Sequence, residues 1–181
     1  MEVSIVRLKN NETDLDRLVK YLNEADSTFD VPLSNKVYIP DYAKRKLSIG
    51  RVLAIEEDGE IGGILAYYCN DKEHYRAYVT LYCAREELQR RGITKSLLYI
   101  AIQDAKKEGM KEVYFDVTDR RVLILHRRMG SVVVEEKEIN GMHDVIMKCD
   151  LDVYMANILR TAKPGELMDG SNVFSQELEE K

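Results

Sequence analysis

Residues 89–95 read Gln-Arg-Arg-Gly-Ile-Thr-Lys, with Arg85 shortly upstream. Four cations (Arg85, Arg90, Arg91, Lys95) thus surround Gly92 in a chain whose formal net charge is −5. A β-rich segment, Leu81-Tyr82-Cys83-Ala84, runs into this cluster. Leu97, Leu98, Ala101, Ile102 and Ala105 follow it at helical spacing. The cluster therefore opens a helix, where free N–H groups and the summed peptide dipoles place roughly +0.5 charge. Cations at such an end repel the dipole and one another unless an anion is bound. Phosphate is the ligand a helix start takes, and Gly92, lacking a Cβ, lets backbone approach it closely. The chemistry expected here is binding of an anion, most directly a phosphate group.

The rest of the chain supplies the elements that hold this loop. Residues 3–9 read as a strand, and a helix follows over about 13–28, with Thr13 and Asp16 as a capping pair. Residues 31–40 form a loop, and 41–50 a short helix closed by Gly50. Strands at 51–57 and 60–69 flank Asp58-Gly59, a favoured tight-turn pair. A further strand covers 75–84, then the loop, then a helix ended by Gly109. Residues 112–117 alternate as a strand, and Thr118-Asp119 caps a helix from Arg120 to about Met129. Two last strands, 131–139 and 143–151, turn through Asn140-Gly141-Met142. The expected fold is a mixed α/β sheet with about four helices, because helices and hairpins interleave without a regular βαβ rhythm. From about residue 151 the pattern fades, so 1–150 is read as one domain and 151–181 as an appendage or flexible tail.

Three phosphate-binding patterns can be compared with the loop. A Walker loop needs a Gly directly before Lys-Ser, and Thr94 stands there instead. A dinucleotide fingerprint needs three glycines where this loop has Gly92 alone. The pattern Q/R-x-x-G-x-G/A fits from Gln89 through Ile93 and departs at Thr94. With that loop, the order of elements, and a second stretch, Leu125-His126-Arg127-Arg128-Met129-Gly130-Ser131, the chain over about 3–150 resembles the GNAT N-acetyltransferase superfamily. In the second stretch His126 stands where the family usually has Tyr, and Ser131 where it has Phe.

The resemblance implies a mostly antiparallel sheet splayed between its fourth and fifth strands, with acetyl-CoA in the wedge. Cys83 and Ala84 would pair with the pantetheine arm. Gln89, Arg91, Gly92, Ile93, Thr94 and Lys95 would hold the pyrophosphate, and Arg90 and Arg85 the ribose phosphate. Asp119 takes the place of an Asn that often touches the pantetheine. The implied reaction is direct attack of an amine on the thioester. It needs a base for the amine proton, an oxyanion donor and an acid for the departing thiolate. His126 is read as that acid in imidazolium form, or else as a solvated helix residue. Tyr78 matches the strand position of the family's frequent Glu base; by alternation it shares a face with Thr80 and Tyr82. It would hold a water or the substrate, or simply pack in the sheet. Glu73, His74 and Asp116 are the alternative bases.

Composition narrows the partners. A net charge of −5 argues against nucleic acid as the main partner. No apolar run approaches a membrane span, the N-terminus lacks a signal-peptide core, and three scattered cysteines suit a reducing compartment, so a cytoplasmic protein is expected. The three histidines have no metal-ligand spacing, and no metal is expected. The acceptor is expected to be the primary amine of a small molecule, with a homodimer left open. The alternatives are a non-catalytic acyl-CoA-binding module and a protein N-acetyltransferase.

Overall fold

The computed structural model describes residues 2–139 and 141–179. Its elements in chain order are β1 (Val3–Arg7), α1 (Glu12–Ala25), α2 (Ile39–Ile49), β2 (Arg51–Glu57), β3 (Glu60–Asp71), β4 (Arg76–Ala84), α3 (Glu86–Arg90), α4 (Thr94–Lys107), β5 (Glu112–Val117), α5 (Arg120–Arg128), β6 (Val132–Ile139), β7 (Met142–Asp150), α6 (Leu151–Thr161) and α7 (Ser171–Glu179). The strands form one seven-stranded sheet in the order β1-β2-β3-β4-β5-β7-β6. All neighbours are antiparallel except β4 and β5. The mixed, mostly antiparallel sheet expected from the sequence is the one observed. Asp58 and Gly59 both take positive φ, as a tight hairpin turn between right-twisted strands requires.

Each face of the sheet carries its own core. Leu97, Leu98, Ala101 and Ala105 of α4 pack on one face with Leu65, Phe115 and Met147. Leu18 and Leu22 of α1, with Ala43 and Leu47 of α2, pack on the other against Val52, Ala54 and Ile64. The cap of α1 is Asn11, whose side chain accepts from the Asp14 N–H at 2.8 Å, and not Thr13. Asp14 in turn accepts from the Lys9 N–H at 2.7 Å, two residues before the cap, so the helix start lies two residues earlier than expected.

Two features of β4 shape the site. Its pairing with β5 covers only Arg76–Val79 against Glu112–Phe115, although β4 continues to Ala84 and β5 to Val117. The two strands therefore diverge past Val79 and leave a gap. Just there, β4 carries a bulge: Ala66 of β3 faces Leu81 but Tyr67 faces Val79, so Thr80 is an extra residue. The bulge reverses the alternation. Ala77 and Val79 belong to the α4-side core, whereas Leu81 and Cys83 pack on the α1/α2 side. The expectation that Tyr78, Thr80 and Tyr82 share a face therefore fails, because Tyr82 packs against the α4-side core.

The segment after residue 150 is a second correction. Asp150 caps α6 by accepting from the Asp152 and Val153 N–H groups at 2.9 and 3.0 Å. Tyr154 and Ile158 of α6 and Val173 of α7 are fully buried members of the α4-side core. Each such side chain contributes about 1.5–3 kcal/mol by burial. Residues 151–179 are thus part of the folded unit rather than an appendage. Counting α3, α6 and α7, the described residues hold seven α-helices against the four expected.

Candidate active site

The gap between β4 and β5 opens into a cleft of about 730 Å³. It runs from the β4–α3 junction, past Thr80 and Asp116, to Lys36 and Tyr42 beside α2. One end of it is the basic loop, the other the wall below α1 and α2.

At the loop end, the Arg85 N–H donates to the Gly62 carbonyl of β3 at 2.8 Å. The carbonyl of the same peptide, Ala84 O, therefore points the other way, into the gap. There the Gln89 side chain donates to it at 2.6 Å. The predicted loop is partly helical, since α3 covers Glu86–Arg90 and a turn joins it to α4. The Ile93 and Thr94 N–H groups have no backbone acceptor among the described residues, leaving free donors where α4 begins. Thr94 lines the cleft and its hydroxyl engages Tyr82, whose phenol burial pushes up to about 12.

The cations answer the repulsion problem by a route the sequence did not suggest. Arg85 pairs with Glu24 at 3.4 Å, Arg90 with Glu86, Arg91 with Glu57 at 3.2 Å, and Lys95 with Glu166 at 3.3 Å. Each of the four has a carboxylate of this chain beside it. Lys95 points away from the cleft toward the C-terminal end of α6, where it also donates to the Thr161 carbonyl at 3.3 Å. Glu166 further accepts from the Lys163 N–H at 2.7 Å. Gly92 has φ +73°, and a Cβ on it would lie 2.3 Å from Glu166 Oε1. The close approach that requires glycine here is thus to Glu166. Ile93 is buried in the α4-side core.

The central residues are placed differently from expectation. His126 lines the cleft but is only 1% exposed, stacked on Phe115 at 3.7 Å between centroids. Its Nδ1 lies 2.9 Å from the Tyr154 hydroxyl. Burial pushes the imidazole down to about 3 and the Tyr154 phenol up, so both groups are neutral and share one hydrogen bond between Nδ1 and the phenol oxygen. Neither an imidazolium acid nor a solvated helix residue describes it. Tyr78 is absent from the cleft wall and stacks on Tyr114 at 5.2 Å, so it is a sheet aromatic. Asp119 caps α5, accepting from the Arg121 N–H at 2.7 Å and pairing with the Arg121 guanidinium at 3.1 Å. Burial pushes the Cys83 thiol up to about 12, which keeps it protonated at the cleft wall. His74 pairs with Asp71 at 3.0 Å in the exposed β3–β4 turn, remote from the gap.

Of the alternative bases, Asp116 is the one that lines the cleft. It faces Ile146 of β7, and Asp144 lies two residues further along that strand on the same face. The two carboxyls meet. Asp116 is exposed to the open cleft, yet partial desolvation of its carboxyl, then the Asp144 hydrogen bond and charge, push it up to about 7, with Lys36 and Lys137 opposing. Asp144 Oδ1 is buried without a hydrogen-bond donor among the described residues, which a proton on Asp116 would supply. Sequence reading could not single out this pair, because it depends on β5–β7 register.

The GNAT family model (Acetyltransferase (GNAT) family) matches residues 17–130, more than half of the chain. The chain belongs to the GNAT acetyltransferase family. A curated relative, the beta-lysine N(6)-acetyltransferase of Methanococcus maripaludis, is 30% identical over 105 residues, 58% of this chain. The chain spans 36% of that relative's length. Among solved structures, a GNAT-family protein of Desulfovibrio desulfuricans superposes with TM-score 0.67 at 14% identity, covering 83% of this chain and 99% of the other. The PaiA N-acetyltransferase of Thermoplasma acidophilum, solved with coenzyme A, superposes with TM-score 0.61 at 19% identity, over 83% and 99%. The splayed parallel pair of this GNAT chain, β4 and β5, is the part of the fold that builds the cleft. Among the described residues, no helix is long and apolar enough to cross a membrane.

Proposed function

We propose that this chain is an acetyl-CoA-dependent N-acetyltransferase acting on the primary amine of a small molecule. The observation that carries this reading is Asp116, a carboxyl raised to about 7 in the cleft that the β4–β5 splay opens. The residues present fit acetyl-CoA. Among the described residues no strand pairs with the β5-facing edge of β4 beyond Val79, and the Ile93 and Thr94 N–H groups, without backbone acceptors there, end the gap with anion-binding capacity. Arg85, Gln89 and Thr94 line that end and would hold the phosphates, with the edge of Cys83-Ala84 along the arm. Arg90 and Arg91 are exposed beside it, within reach of a phosphate at the rim. Bound there, acetyl-CoA would supply the acyl group as an activated thioester.

The residues of the chain then divide the proton work. An aliphatic ammonium titrates near ~10.4, so it must lose a proton before it can attack. Asp116 accepts that proton and shares it with Asp144, whose buried Oδ1 has no other donor among the described residues. With the Tyr154 phenol donating to Nδ1, neutral His126 would carry its proton on Nε2 and could offer it as a hydrogen-bond donor for charge developing on a leaving sulfur. The beta-lysine relative, an enzyme named for a small amine, supports a small acceptor.

The test is thiol release from acetyl-CoA over a panel of amino acids, amino sugars, polyamines and peptides. Turnover with a small amine that Asp116→Asn strongly reduces is the expected result. Saturable thermal stabilisation by acetyl-CoA with no turnover on any amine would instead favour a binding module, and turnover on peptides alone a protein acetyltransferase.

A further inference from the structure

Lys46 is the odd cation of this molecule. It lies on α2, lines the cleft, and is only 8% exposed. Its ammonium donates to the Tyr68 hydroxyl at 2.9 Å and lies 4.7 Å from the centroids of both Tyr42 and Tyr68. Tyr42 is one helical turn before it, and its phenol engages Thr80 at the β4 bulge. Among the described residues no carboxylate pairs with Lys46, whereas each of the four far more accessible loop cations has one. A buried ammonium held by a neutral hydroxyl and two ring faces is poorly compensated for lost water. Asp116 is near enough for its charge to favour the protonated lysine, but it is itself crowded by Asp144 and holds a shared proton for part of the time. Burial lowers the ammonium to about 8, which still leaves it mostly charged at neutral pH. For packing alone a Met or Leu would serve with no desolvation cost.

We propose that Lys46 is the anchor for a carboxylate on the acceptor, so that the substrate class is amines that also bear a carboxylate, in the manner of an amino acid. Lys46 takes the carboxylate between the Tyr42 and Tyr68 rings, and Asp116 takes the amine. The cleft thereby offers one cation and one anionic pair to a zwitterionic ligand. The inference rests on the acetyl-transfer reading, and its test separates the two.

Amines would be assayed in matched pairs that differ only by the carboxylate: lysine with cadaverine, ornithine with putrescine, tyrosine with tyramine. In the wild-type chain the carboxylate-bearing member of at least one pair should be preferred in kcat/KM by about tenfold or more. Lys46→Met should erase that preference by raising KM for the acid, while the decarboxylated amine changes by less than about threefold and thermal stabilisation by acetyl-CoA is kept. Equal use of both members in every pair would overturn the proposal, as would a Lys46→Met loss that falls equally on both. If no amine is acetylated, the acetyl-transfer reading fails, and calorimetric binding of the same pairs still decides this one. Binding of a carboxylate-bearing amine that is lost in Lys46→Met supports it, and no preference for that member overturns it.

Discussion

The two ends of the cleft handle positive charge in opposite ways. At the loop end four cations crowd one helix start, and every one of them is answered from within the chain, by Glu24, Glu57, Glu86 and Glu166. At the α2 end a single lysine, Lys46, is buried against two tyrosines with no carboxylate partner among the described residues. Exposed ion pairs are cheap to make and to break, each within about 1 kcal/mol. Arg85, Arg90 and Arg91 can therefore exchange an internal carboxylate for a ligand phosphate at little cost, whereas the part-buried Lys95–Glu166 pair stays in place. A buried unpaired ammonium has no such exchange available, so it gains only when a ligand brings the anion. The density of charge in a sequence is thus a poor guide to where charge matters, and burial is the better one.

The difference can be broken at several points, and Asp116→Asn should do so most severely. Loss of a general base costs about 10²–10⁴ in rate, so kcat/KM should fall by about that factor while acetyl-CoA binding is unchanged. The active form is the carboxylate, which becomes populated as pH rises through about 7. Wild-type kcat/KM should therefore climb through that pH and lose this limb in the variant. Asp144, Lys36, Lys137 and Lys46 are the charged groups facing Asp116, and Asp144→Asn should move the limb to lower pH. A profile flat between pH 5.5 and about 8 in wild type would remove Asp116 from the mechanism.

Stability should separate the two ends by sign. Glu166→Ala strands the part-buried Lys95 and should destabilise by about 1–3 kcal/mol, read by chemical denaturation. Gly92→Ala meets both the left-handed backbone, worth about 1–2 kcal/mol, and the Glu166 carboxylate. The double variant should cost less than the sum of the two, and strict additivity would mean that Glu166 does not seat against Gly92. Lys46→Met should do the reverse and stabilise by about 1 kcal/mol at neutral pH, since it removes a buried charge. The pH dependence has a matching sign. Lys46 is lowered to about 8 in the fold against ~10.4 when unfolded, so between those values the unfolded chain holds more protons and this group's contribution to stability rises with pH.

The smallest effects belong to the loop surface. Arg90→Ala removes an exposed pair with Glu86 and should leave stability within about 0.5 kcal/mol, measured by thermal denaturation. Thr94→Ala should leave acetyl-CoA binding equal or slightly tighter, because the hydroxyl already has Tyr82 as its neighbour. A large loss of affinity would show that the hydroxyl contacts phosphate directly.

Much of the architecture could be read from local pattern. The Asp58-Gly59 hairpin, the apolar face of α4, the β5 strand at 112–117 and the Asp119 cap all depend on residues a few positions apart, and all are observed, although Val113, Tyr114 and Phe115 are buried in succession rather than alternately. The turn expected at 140–142 begins on Asn140, outside the described residues. The helices after residue 150 were missed because the strand and turn rhythm stops there, although Leu151, Tyr154 and Ile158 do repeat at helical spacing. Their burial was the stronger fact and is not a local one.

By itself the sequence determined a family, a mixed sheet and a basic loop at a helix start, because periodicity, turn chemistry and short motifs are properties of neighbouring residues. Only the tertiary structure decided what the charges do. It turned Lys95 toward Glu166, shifted the β4 faces by one bulged residue, buried His126 against Tyr154, and brought Asp116 to Asp144. Those outcomes depend on strand register and on which carboxylates, tens of residues away, come within a few ångströms. Coulomb and desolvation energies follow distance and burial, and neither quantity is written along the chain.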